Sequence, residues 1–177
     1  MYSIMHIDID DDLSRTLIHK WLRMAYALAQ NRSEYPFGAE GILVLQGEQG
    51  IGKTALCSKL GINSELCKTG LCIDTKDKDT IIRATSCFIG ELGEIGYTLR
   101  SDIDRLKAFI TESTDRYRVP YGKTDVSMVR RASFIATTND ERFLIDLTGS
   151  RRFWTVPCKA KFDLTALNHL DIGQLWK

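Results

Sequence analysis

Residues Gly41 to Thr54 read GILVLQGEQGIGKT, a short apolar run that breaks into a glycine-rich turn and closes on Lys-Thr. From Gly47 to Thr54 the spacing is that of a nucleoside-triphosphate phosphate loop, G-x-x-x-x-G-K-S/T. Each position has a mechanical task. Gly47, Gln49, Gly50, Ile51 and Gly52 form a turn whose backbone N–H groups face phosphate oxygens. Lys53 reaches the β- and γ-phosphates, and Thr54 ligates Mg²⁺. Ala55 opens a helix whose positive end faces the same anion. Context agrees with the motif: Gly41 to Gln46 has strand length and β-branched residues at Ile42 and Val44. Ala55, Leu56, Lys59 and Leu60 suit a helix, and Gly61 suits its stop. The alternative is a glycine turn with no ligand, but such a turn does not need Gly, Lys and Thr at these offsets.

The chain has 177 residues, the size of one ordinary domain with a real core. Its formal net charge is +1, so any nucleic-acid surface has to be local. No stretch is long and apolar enough for a membrane span, and the start lacks a signal-peptide pattern. The expectation is a soluble, intracellular protein with no membrane partner. The five cysteines, Cys57, Cys67, Cys72, Cys87 and Cys158, fit no common zinc spacing. Cys57 and Cys87 fall in expected core elements, where a thiol acts as a small apolar group.

Asp8 to Asp12 leads into an amphipathic helix from Leu13 to Ala29, with Leu17, Ile18, Trp21, Leu22, Ala25 and Leu28 at helical spacing. Asn31 to Glu40 is a loop. The first 40 residues thus read as an N-terminal helical segment, and 41–177 as the core. Asn63 to Thr69 reads as irregular or weakly helical. Ser86 to Gly90 reads as a second buried strand. Ser101 with Asp104 resembles a capping box, which starts a helix over 101–113. Tyr117 to Val126 carries a hairpin signal, Ser133 to Thr138 is a third strand, and Phe153 to Val156 a fourth. Alternating strands and helices give an α/β fold with a parallel sheet.

A phosphate loop needs an acid at the end of a neighbouring strand to hold Mg²⁺ and position water. Glu91 follows the second strand and is the metal-side acid; Glu94 is second, for general-base work or water positioning. Two solvated loop glutamates are the alternative. Asn139 ends the third strand, where an amide can hold the attacking water; a turn-forming Asn is the alternative. Arg151 and Arg152 suit an arginine that approaches the γ-phosphate, often from a neighbouring subunit, or else a solvated pair. Arg116, Arg118, Lys123, Arg130 and Arg131, interleaved with Tyr117 and Tyr121, suit a nucleic-acid backbone with rings for stacking. A charged surface hairpin is the alternative.

The order of these signals resembles the virulence-associated E family of P-loop ATPases, with superfamily 3 helicases and primase-linked ATPases as broad relatives. The matching blocks are LVLQGEQGIGKTALCSKLG, GELGEIG, LKAFITESTDRYRVPYGK, RRASFIATTN and FLIDLTGSRRFWTVP, from about Leu43 to Pro157. The resemblance implies an AAA+-like ATPase core using ATP and Mg²⁺, encoded by bacteria, phages or mobile elements. Lys53 and Thr54 would act on nucleotide and Mg²⁺, Glu91 in the acidic motif, Asn139 as sensor, and Arg152 or Arg151 as arginine finger. The segment from Tyr117 to Lys123 would be a hairpin facing single-stranded or duplex DNA. The active form would be a homo-oligomeric, head-to-tail ring. In one departure from the pattern, Leu92 and Gly93 separate Glu91 from Glu94. The end, Gln174 to Lys177, reads as the start of another helix, so a shortened C-terminal region is expected. Two other functions are compatible with the loop: a non-hydrolysing nucleotide-binding scaffold, and a small-molecule kinase, for which no lid signature is present.

Overall fold

The computed structural model describes residues 1–63, 65–74, 77–93, 95–118, 125–140, 142–143 and 150–177, with the backbone alone at 96–102, 117–118, 125 and 150. Chain order is α1 (Asp12–Ala29), β1 (Ile42–Gln46), α2 (Lys53–Leu60), β2 (Cys67–Leu71), α3 (Lys78–Thr85), β3 (Ile89–Leu92) and α4 (Ile95–Thr111). Then follow β4 (Thr114–Arg118), β5 (Asp125–Val129), β6 (Ser133–Thr138), a 3₁₀ turn (Ser150–Arg152), β7 (Phe153–Pro157), α5 (Leu164–Asn168) and α6 (Ile172–Leu175).

Five strands form one sheet in the order β2-β3-β6-β1-β7, and every pairing is parallel. Parallel strands are covered on both faces, which is why β1 and β6 read as continuous apolar runs. Side chains alternate along β1. Leu43 and Leu45 join Ile18, Trp21, Leu56, Ile135 and Val156 on one face. Ile42 and Val44 join Leu106, Phe109, Phe134 and Phe153 on the other. The core therefore lies in two layers with the sheet between them. Helix α1 starts at Asp11, whose side chain accepts from the Ser14 N–H at 3.0 Å. It is fixed to the sheet by the buried Trp21, whose indole N–H donates to the Phe134 carbonyl at 2.8 Å. No described helix is long and apolar enough to cross a membrane.

Strands β1, β6 and β7 lie where the pattern places them, and Cys57 and Cys87 are buried as expected. Three readings need correction. The stretch from Asn63 is not simply irregular: Cys67–Leu71 is an edge strand paired with β3, with a register shift between Lys68 and Leu71. The strand expected at Ser86–Gly90 begins at Ile89, because Ser86 caps α3 through its N–H to the Ile82 carbonyl. Ser101 does not start a helix either; α4 already runs from Ile95, so Ser101 lies in its interior.

The hairpin signal is met by β4 and β5, an antiparallel pair that forms a separate two-stranded sheet. Arg130, read above among its surface cations, is buried. Its Nε donates to Asp115 Oδ1 and Oδ2 at 3.1 and 2.9 Å, and Nη2 to Glu112 Oε2 at 3.3 Å. Nη1 donates to the Phe109 carbonyl, and the guanidinium lies 4.3 Å from the Phe109 ring centroid. A buried cation persists only when paired and hydrogen-bonded, and here Asp115 of β4 and Glu112, just after α4, supply that pairing. Arg130 thus ties the hairpin base to α4 and is withdrawn from solvent. Burial pushes the Glu112 carboxyl up, against the opposing charge of Arg130.

Candidate functional site

The glycine-rich loop joins β1 to α2. Gly50 and Gly52 adopt φ of +79° and +110°, a region in which an L side chain is strained. Gly52 is also the N-cap of α2, and no side chain closes that cap. The first N–H groups of α2 therefore have no side-chain acceptor at the positive end of the helix. Lys53 is buried, with Nζ donating to the carbonyls of Gly47 at 2.5 Å and Glu48 at 2.7 Å. This draws the ammonium under the loop. Gln49, Gly50, Thr54 and Ala55 are exposed, and Ile51 is buried beneath them.

Glu91 lies on β3, 2% exposed. The Thr137 hydroxyl of β6 donates to its Oε1 at 2.7 Å, and the Thr54 hydroxyl to the same oxygen at 3.4 Å. The Gly70 N–H of β2 donates to Oε2 at 2.7 Å. A carboxylate buried this deeply needs such donors. Its charge is felt nearby: burial first, and then Glu91, push the Cys67 thiol up to about 11. Thr137 and Gly70 were not singled out from the sequence. Each meets Glu91 only through strand pairing, so no local spacing announces it.

Asn139 follows β6, exposed, and lines a cavity of about 620 Å³ together with Gln46 to Ile51 and Pro157 to Lys161. The loop is tied to that strand where it begins, by Gly47 N–H to the Thr138 carbonyl at 3.0 Å. A smaller groove beside Trp176, about 450 Å³, is lined by other residues and is mostly apolar. Burial pushes the Cys158 thiol up to about 12, against the charge of Lys53, so it stays neutral and is no nucleophile.

Arg151 and Arg152 are not brought to this cavity. They precede Phe153, which pairs with Ile42 at the start of β1, whereas the loop leaves the other end after Gln46. They line a separate cavity of about 420 Å³ with Lys20, Glu40 and Trp154. Arg116 is exposed on β4. The side chains of Tyr117 and Arg118 lie outside the described residues, as do Glu94, Tyr121 and Lys123 altogether.

Lys53, Thr54 and Glu91 thus converge at the carboxyl ends of parallel strands, with Asn139 beside them. Such strand ends are where open α/β sheets bind ligands. The oxygen donors of Thr54 and Glu91 suit Mg²⁺, which takes one or two protein oxygens and completes its shell with phosphate and water. Among the described residues no group of three or more His, Cys, Asp or Glu is placed to hold a metal.

A family model described as a virulence-associated protein E-like domain matches residues 3–177. No curated protein gives a match. Among solved structures, the chain is similar to the A form apo structure of the NrS-1 C terminal region, at 16% identity and TM-score 0.59, over 98% of this chain and 46% of that one. A second apo structure of that region gives 16% identity and TM-score 0.55, over 98% and 50%. The chain therefore spans about half the length of the solved structures it matches, and the likeness is one of fold.

Proposed function

The chain belongs to the virulence-associated protein E-like family, and from that premise we propose that it is a P-loop NTPase with an AAA+-like core, hydrolysing ATP with Mg²⁺. The observation that carries the reading is the convergence of the Lys53 ammonium, the Thr54 hydroxyl and the clamped Glu91 carboxylate at one end of the sheet. Lys53 would leave its two loop carbonyls for the β- and γ-phosphate oxygens. The N–H groups of the loop and of α2 would take the remaining phosphate oxygens. Thr54 and Glu91 would hold Mg²⁺, which when bound neutralises phosphate charge during transfer. Thr137 and Gly70 fix the Glu91 carboxylate so that it needs no reorganisation. Asn139 would orient the attacking water, with Glu94 as a further base. Phosphate release from ATP and Mg²⁺ is the test: Lys53→Ala should lower it about 10²-fold, the scale of one preorganised donor. Equal turnover in both proteins would sink the site.

A second reading is nucleotide binding without turnover. It is favoured by the placement of Arg151 and Arg152 at the far end of the strands, with no arginine among the described residues that line the cavity at the loop. Turnover would then require a head-to-tail ring, in which a neighbour supplies that arginine.

By its family, the protein would act in phage or mobile-element replication, in the cytoplasm, with DNA at the β4–β5 hairpin. Arg116 is the described cation placed for this. Arg116→Ala should weaken single-stranded DNA binding and lower the salt slope by about one. An unchanged slope, measured by fluorescence titration between low and moderate salt, would remove the hairpin from the account.

A further inference from the structure

The segment after β7 is bonded to the phosphate loop at both ends. The Cys158 N–H donates to the Gln46 carbonyl at 2.6 Å, just before the loop, and the Phe162 N–H to the Ile51 carbonyl at 2.8 Å, within it. Contact is close all along. A Cβ on Gly47 would stand 2.3 Å from the Cys158 carbonyl oxygen, and one on Gly52 would stand 3.1 Å from Phe162 Cβ. Residues 159–161 therefore span the front of the loop as a short bridge with fixed ends. The bridge reads Lys-Ala-Lys, and both lysines are exposed and line the 620 Å³ cavity that the loop and Asn139 also line. Glu48 is the acid on that lining, so the two lysines leave it net cationic.

We propose that Lys159 and Lys161 form a second cationic arm of the phosphate site, contacting the outermost phosphate of a nucleoside triphosphate held by the same chain. The proposal rests on the reading of the loop as a nucleotide site. Three features support it. The ammoniums share a cavity with the loop and Asn139. Their backbone is fixed to the loop, so the lysines are held in register with it. An ammonium on a flexible stem suits a phosphate as a point charge.

Calorimetric titration of the whole chain with ATP, ADP and AMP tests this. Joint substitution Lys159→Ala and Lys161→Ala should weaken ATP about tenfold, the scale of one charge-assisted hydrogen bond. ADP should weaken less and AMP not at all. Each single substitution should lose less than the pair, and the paired arginine variant should retain most of the affinity. ATP affinity unchanged in the double variant overturns the proposal, provided wild type binds ATP and Lys53→Ala does not; the loop reading then survives. Equal losses for ATP and AMP also overturn it, since they report a distorted loop. Failure of wild type to bind any of the three nucleotides removes both the proposal and the reading beneath it.

Discussion

Arg152→Ala is expected to slow ATP turnover about 10³-fold or more, the effect of removing an arginine finger, while ATP affinity changes little. The separation of rate from affinity follows from position. Arg152 precedes the first residue pair between β7 and β1, and Pro157 pairs with Gln46 at the last. At about 3.3 Å per residue, those pairs are about 13 Å apart along the strands. The guanidinium therefore starts from the wrong end of the sheet to serve its own phosphate loop. It can serve a neighbour's, and then only the assembled form turns over. Mixing Arg152→Ala with Lys53→Ala subunits, under conditions where exchange is verified by native mass, should restore part of the activity. A mixed population as inactive as either parent would refute action in trans.

Arg130→Met should destabilise the fold by about 3–5 kcal/mol, because it strands a buried carboxylate. Asp115 is 5% exposed and receives the guanidinium side-on at two oxygens. Without the cation that carboxylate has to protonate or drag water into the hairpin base. At about 2–4 °C per kcal/mol for a chain of this size, the melting temperature should fall by roughly 6–20 °C. Arg130→Lys should rescue little, since one ammonium cannot match the fork that meets Asp115, Glu112 and the Phe109 carbonyl together. Joint replacement of Arg130 by Met and Asp115 by Leu should be less harmful than either change alone. Thermal unfolding of the four proteins decides it; strictly additive losses would show that the pair is not coupled.

Arg130 also shows where the sequence misleads. A cation in the run Arg116 to Arg131 looks like its neighbours, and its partner Asp115 stands fifteen positions away. The hairpin turns Asp115 inward just before that run, and only the fold shows which cation follows it. Strand β2 was hidden for a different reason. Only Cys67 and Leu71 of its five residues are buried, so it carries no apolar run and owes its form to β3 beside it. By contrast β1 and β6 are buried on both faces, and β7 at Phe153, Trp154 and Val156, so composition marked them. The loop and Glu91 were legible because their chemistry is local. The clamp on Glu91 was not, because Gly70 and Thr137 reach it from other strands. Lys159 and Lys161 escaped notice because their link to the loop runs through backbone carbonyls, which carry no residue signature.

The order of the sheet bears on how this chain acquires its shape. Strand β1 is flanked by β6 and β7, which follow it by about ninety and a hundred and ten residues, and contacts of such long range close slowly. During synthesis the apolar run Ile42 to Leu45 therefore waits, unpaired, until Ser133 to Thr138 and then Phe153 to Pro157 have emerged. The glycine-rich loop is made early, yet the strand that carries it is among the last to be flanked. A pause or a chaperone acting before Ser133 would meet an exposed, sticky strand.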